Sequence, residues 1–159
     1  MNLLKKIYRV IDTPDERSRL LVDVFKDWVL PNDTILEIGS GDNRNINKLK
    51  ENGFLNIDGI DKKNGTAIED VPEKQYDIIY TMSTLFLIPR ENEWVFEKIA
   101  RMAKKYLFLF EGKYDANNGY KQTLWGRNYK NIFEQFGYTQ VYEQDNLFNE
   151  TGILRILKK

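Results

Sequence analysis

Two short stretches carry the residue types most able to hold a ligand: Glu37-Ile38-Gly39-Ser40-Gly41-Asp42-Asn43-Arg44, and Ile57-Asp58-Gly59-Ile60-Asp61. Each begins as an apolar run and ends in small or acidic residues. Glycines placed directly after a strand let the backbone come close to a ligand and permit a tight strand-to-helix turn. A carboxylate closing the next strand, about 20 residues further on, can accept hydrogen bonds from both hydroxyls of a ribose. Asp61 stands at that position, so the pattern points to an adenosine-bearing cofactor. A dinucleotide fingerprint needs a further glycine where this chain has Arg44, and no Gly-x-x-x-x-Gly-Lys-Ser/Thr phosphate loop occurs anywhere. NAD and P-loop nucleotides therefore fit poorly. The competing reading gives Gly39 and Gly41 a role in strand-to-helix packing alone and makes Asp61 a surface turn residue.

Composition narrows the chemistry further. The chain has 159 residues, 24 basic and 24 acidic side chains, no cysteine and no histidine. Without cysteine there are no disulfides, thiolate metal sites or thiol nucleophiles. Without histidine, zinc hydrolases of the usual ligand set and serine-histidine-acid triads are excluded, and no metal site is expected. The even charge balance gives no broad positive field for nucleic acid. In the segment Met1-Asn2-Leu3-Leu4-Lys5-Lys6 charge interrupts the apolar run after two residues, too soon for a signal-peptide core or a membrane span. The expected location is the cytoplasm, and the expected organisation is a single domain over residues 1–159.

The elements that must position these residues are legible in outline. Thr13-Pro14-Asp15-Glu16 reads as a capped helix start with the spacing of a capping box, and Leu20, Leu21, Val24, Phe25, Trp28 and Val29 form one buried face. Strands are predicted at 34–38, 56–60, 77–81 and 106–110, the last buried on both faces as in a parallel sheet. Helices are predicted at 45–52, 92–103 and 128–136. Between Asp61 and Asp70 there is no room for a crossover helix and a full strand, so Thr66-Ala67-Ile68 is at most a strand stub. Residues 112–127 read as a lid, and strands at 139–144 and 153–157 close the chain. This is the pattern of a doubly wound α/β domain, mostly parallel, with an antiparallel C-terminal edge.

At this point the residues resemble the class I S-adenosylmethionine (SAM)-dependent methyltransferases, in particular small bacterial methyltransferase-domain proteins. The family's first motif, an acid followed by Gly-x-Gly-x-Gly, is matched by Glu37, Gly39 and Gly41. Further matches are Asp61, Glu69-Asp70-Val71-Pro72, Tyr76-Asp77-Ile78-Ile79-Tyr80 and Arg127-Asn128-Tyr129-Lys130. The resemblance implies a Rossmann-like, three-layer α/β/α sandwich with SAM as cofactor. Glu37, Gly39, Ser40, Gly41 and Asn43 would surround its methionine end, Asp61 its ribose, and Asp70 with Val71 its adenine. Two departures stand out. Asn43 replaces the third glycine, as the non-glycine residue that best tolerates positive φ, and Leu85-Phe86-Leu87-Ile88 stands where relatives often carry histidine.

Methyl transfer from a sulfonium is an in-line displacement, so alignment of the acceptor matters most and a base is optional. Tyr80 and Glu111 are the candidate bases, each at the end of a strand, with aromatic packing and ion pairing as their respective alternatives. Ser83 and the lid residues Tyr114, Tyr120, Trp125 and Arg127 are candidates for binding the acceptor; the aromatics can equally anchor the loop, and Arg127 can equally pair with Glu134 or a neighbouring acid. Thr81-Met82-Ser83-Thr84 stands in place of the Asn/Asp-Pro-Pro-Tyr/Phe motif of enzymes that methylate nucleic-acid bases. A small-molecule acceptor is the expectation. The alternative is a degenerate relative that binds SAM or S-adenosylhomocysteine (SAH) and serves as a partner or scaffold.

Overall fold

A computed structural model describes residues 13–112, 125–147 and 152–159. The lid candidates Tyr114 and Tyr120 lie outside the described residues. The first helix, α1 (Pro14–Trp28), begins as anticipated, with the Thr13 hydroxyl accepting the Glu16 N–H at 3.2 Å and proline in the first turn. The Glu16 carboxylate pairs with Arg19 at 3.3 Å. Leu20, Leu21, Val24 and Phe25 are buried along one face, and α1 ends where Val29 turns extended.

The chain then alternates: β1 (Ile35–Ile38), α2 (Arg44–Glu51), β2 (Ile57–Ile60), β3 (Tyr76–Met82), α3 (Trp94–Met102), β4 (Ala103–Gly112), α4 (Tyr129–Glu134), β5 (Thr139–Leu147) and β6 (Gly152–Lys158). These strands form one sheet in the order β2-β1-β3-β4-β6-β5. The pairs β2-β1, β1-β3 and β3-β4 are parallel, and β6 runs antiparallel to both β4 and β5. The C-terminal strand thus sits inside the antiparallel pair, and β5 forms the edge. One face of the sheet packs Ile35, Ile78, Tyr80, Phe108 and Phe110 against α1 and α2. The other packs Leu36, Ile79, Leu107 and Leu109 against Val95, Phe96 and Ile99 of α3 and Phe133 of α4. The result is the three-layer α/β/α arrangement, with β1 and β3 almost wholly buried, as parallel strands covered on both faces must be.

One expectation is corrected. Residues 66–68 form no strand: after β2 the chain makes a 3₁₀ turn, Lys62–Asn64, and then a turn in which the Asp70 and Val71 N–H groups both donate to the Ala67 carbonyl. The segment is too short to leave the sheet and return, so it folds on itself with Ile68 buried. Consequently β2 is an edge strand.

Candidate functional site

The glycine loop connects β1 to α2 at the carboxyl end of the sheet. Gly39 (φ 82°) and Gly41 (φ 54°) adopt left-handed conformations, and so does Asn43 (φ 62°, ψ 21°), directly before α2. Asparagine, the non-glycine residue that best tolerates positive φ, suits that position. The Gly39 and Ser40 N–H groups both donate to the Ile60 carbonyl, at 2.8 and 3.0 Å. A Cβ on Gly39 would lie 2.2 Å from the Thr84 hydroxyl oxygen, whereas one on Gly41 would meet nothing within 4 Å. Packing within the chain is therefore enough to require glycine at 39, and Gly41 is where open space adjoins the loop.

Asp61 joins the two loops. Its carboxylate accepts the Gly41 N–H and the Lys63 N–H, each at 2.8 Å, and Asn64 donates to the Gly41 carbonyl at 3.0 Å. Each Asp61 oxygen has one backbone donor and keeps capacity for another. It is more than a surface turn residue, since it ties the end of β2 to the glycine loop.

Glu37 lies beneath that loop on the α1–α2 face, only 2% exposed. One of its oxygens accepts from the Asn45 amide at 2.9 Å, the Asn45 carbonyl oxygen accepts from the Ser18 hydroxyl at 2.8 Å, and Arg44 donates to Ser18 at 3.2 Å. The second Glu37 oxygen, the Ser40 hydroxyl and the Tyr80 hydroxyl, which faces Glu37 from β3, are buried without a well-formed hydrogen bond. Burial, only partly offset by the Asn45 amide, the Tyr80 phenol and the Arg44 charge, pushes the Glu37 carboxyl up to about 7. Above it opens a cleft of about 500 Å³ lined by Arg17, Glu37, Ser40, Gly41, Arg44 and Met82 among others. It offers a buried acid at its base and two guanidinium groups at its sides, a setting suited to a ligand bearing both an ammonium and a carboxylate.

Strand alternation separates the two candidate bases. Tyr80 is the register partner of Glu37, so it points to the α1–α2 face, where it is fully buried against the Phe25 ring at 5.2 Å between centroids. Burial beside Glu37 pushes its phenol well above the ordinary range. Tyr80 thus takes the aromatic packing role, with its phenol beside Glu37. Glu111 points to the opposite face and is also buried. Its carboxylate accepts from the Thr81 hydroxyl at 2.7 Å and from the Thr84 and Leu85 N–H groups. It holds the loop after β3 against the sheet, and burial raises its carboxyl to about 7. Its partners are that hydroxyl and those amides; the anticipated lysine or arginine is absent from this set.

Ser83 (φ 53°) lies in that loop and accepts from Arg17 at 3.3 Å, which brings it to the cleft's rim. Asp70 is exposed, and Val71 is half-buried beside it. The Trp125 N–H donates to the Phe86 carbonyl at 2.8 Å. Arg127 is buried, bonded to Glu93 at 2.9 Å and to the Ile88 carbonyl at 2.9 Å, with its guanidinium 5.0 Å from the Phe96 ring centre. Glu134 pairs with Lys130 instead, at 3.0 Å. Arg127 and Glu111 also line a smaller cavity of about 230 Å³ between β4, β6 and α4. Sequence reasoning missed Arg17, Ser18 and Asn45; a polar residue interrupting the buried face of α1 was the available signal for Ser18.

No protein-family model matches the chain, and no curated protein does. Solved structures match over nearly all of it. Magnesium protoporphyrin IX methyltransferase from Synechocystis PCC 6803, with bound SAH, is similar at a TM-score of 0.68 and 12% identity, over 91% of this chain and 82% of that one. A SAM-dependent methyltransferase from Aquifex aeolicus is similar at 0.64 and 19% identity, over 98% and 96%. The cyclase SpnF is similar at 0.70 and 11% identity, over 97% and 84%. One fold thus carries more than one named reaction, and the reaction must be argued from the site. With its sheet order, helical layers and these likenesses, the chain has the fold of the class I SAM-dependent methyltransferases.

Proposed function

We propose that this chain is a SAM-dependent methyltransferase acting on a small-molecule acceptor. Glu37 carries the reading. A buried carboxylate that has only the Asn45 amide and the Tyr80 phenol beside it is costly to ionise, and an ammonium brings three donors and a positive charge to offset that cost. The amino group of a methionine moiety is such a donor, with Arg17 and Arg44 at the sides of the cleft to face its carboxylate, Asp61 for the ribose, and Asp70 with Val71 for the adenine. When bound, the cofactor supplies a methyl group already activated on a sulfonium, so the chain's task is mainly to align the acceptor. Ser83, at the rim of the cleft, is the first candidate to meet the acceptor, with Trp125 and Arg127 as further candidates in the segment after β4. The even charge and the Thr81-Met82-Ser83-Thr84 sequence favour a metabolite over nucleic acid.

Isothermal calorimetry with SAH tests this directly, with NAD and ATP as controls. Micromolar binding of SAH alone supports the reading; binding of a control in its place overturns it. A second reading, a SAM-binding protein without turnover, is favoured by the enclosure of Tyr80 and Glu111. Transfer of a labelled methyl to any acceptor eliminates it.

A further inference from the structure

A lysine with 6% exposure is unusual, because its charge must be compensated where water cannot reach. Lys98, on α3, meets that demand without a carboxylate. Its ammonium donates to three backbone carbonyls of one turn: Ile68 at 2.8 Å, Glu69 at 3.2 Å and Val71 at 2.5 Å. These bonds use all three of its donors. The Asp70 and Val71 N–H groups fold inward on Ala67, and the carbonyls of Ile68, Glu69 and Val71 turn outward to Lys98. In a sheet a neighbouring strand supplies such partners; here a single side chain does.

That turn directly follows the chain leaving Asp61, and Val71 packs with Ile68 into the α3 side of the core. Its other ties are Glu69 contacts to Lys62 at 3.0 Å and to Asn92 at 3.3 Å. Among the described residues, Lys98 is the side chain that grips the backbone on both sides of Asp70. We propose that Lys98 is a positioning residue for adenine recognition: by holding the 68–71 carbonyls it sets where Asp70 and Val71 meet the base. This rests on the reading of the cleft as a SAM site.

The test compares two ligands by calorimetry: SAH, and 5′-methylthioadenosine, which keeps the adenosine and lacks the amino-acid end. Lys98→Met is expected to weaken both by the same factor, roughly tenfold to a hundredfold, while Glu37→Gln weakens SAH alone. Since the chain has no cysteine, Lys98→Cys can be alkylated with 2-bromoethylamine in denaturant and refolded. This restores an ammonium on a side chain of lysine's length, and it is expected to restore both affinities. Should Lys98→Met fail to fold, the less disruptive Lys98→Gln is measured in its place with the same joint loss expected. Unchanged affinities in a folded variant, loss of SAH binding alone, or a folded aminoethylated protein that stays weak each overturn the assignment. If the wild-type chain binds neither ligand, the cofactor reading falls and takes this inference with it; if it binds both and the variants do too, only the role of Lys98 falls.

Discussion

Replacing Glu37 by glutamine sets stability against binding, with a sign that depends on pH. In the folded chain the Glu37 carboxyl is raised from 4.5 to about 7. Because the folded value lies above the unfolded one, ionisation penalises the folded state once the pH passes about 4.5. The penalty grows until about pH 7 and is constant above it. At 1.36 kcal/mol per pH unit, it reaches about 3 kcal/mol at pH 8 and stays below about 1 kcal/mol at pH 5. Glutamine keeps the acceptor for Asn45 and never ionises. Glu37→Gln is therefore expected to raise stability by about 3 kcal/mol at pH 8, a rise of roughly 6 to 12 °C in melting temperature for a domain of this size, with little gain at pH 5. Glu111 is raised in the same way, so the wild-type pH profile sums both groups, and the difference between variant and wild type isolates one. Urea unfolding of both proteins at the two pH values measures it, and calorimetry with SAH should reveal the loss of binding that accompanies the gain. A variant less stable than wild type at pH 8, or a difference independent of pH, refutes the account of Glu37 as a buried acid awaiting a cationic partner.

Gly39→Ala places a methyl against Thr84 at a left-handed φ and should cost about 2 to 5 kcal/mol, whereas Gly41→Ala meets open space and should cost only about 1 to 2; equal unfolding midpoints for the two would contradict the packing argument. Asp61→Ala should weaken SAH by about 1.5 to 3 kcal/mol in calorimetry, as expected for charge-assisted bonds to a ribose, and unweakened binding would remove Asp61 from the site. Glu111→Ala leaves the Thr81 hydroxyl and two N–H groups without their acceptor, so thermal unfolding should show a loss of about 2 to 4 kcal/mol.

Much of the fold was legible because parallel strands and their covering helices write strong periodic patterns. The runs around Ile35, Ile78 and Phe108 declared buried strands, and the Thr13 cap and Leu20-Leu21 stripe declared α1. Local signals also anticipated the left-handed Asn43. What escaped depended on neighbours distant in sequence. Tyr80 and Glu111 both end strands, and only the register of β1 against β3 and of β3 against β4 reveals which face each one joins. Thr84 filling the space beside Gly39, and Lys98 reaching across to residue 68, are contacts that no local pattern encodes. The Thr66-Ala67-Ile68 run failed as a strand because its β-propensity is weak support without a partner to pair with.

The shortened connection after β2 also changes what the molecule exposes. An unpaired strand edge invites other chains to add to it, and long flat apolar edges are the hazardous ones. Here the edge is four residues long, its Asp58 carboxylate is exposed and bridged to Lys74 at 2.9 Å, and Gly59 follows it. Such a strand is a poor template for intermolecular pairing. The chain can thus dispense with an outer strand without exposing a long apolar edge on that side, and Asp58→Val would remove the charge that guards what edge there is.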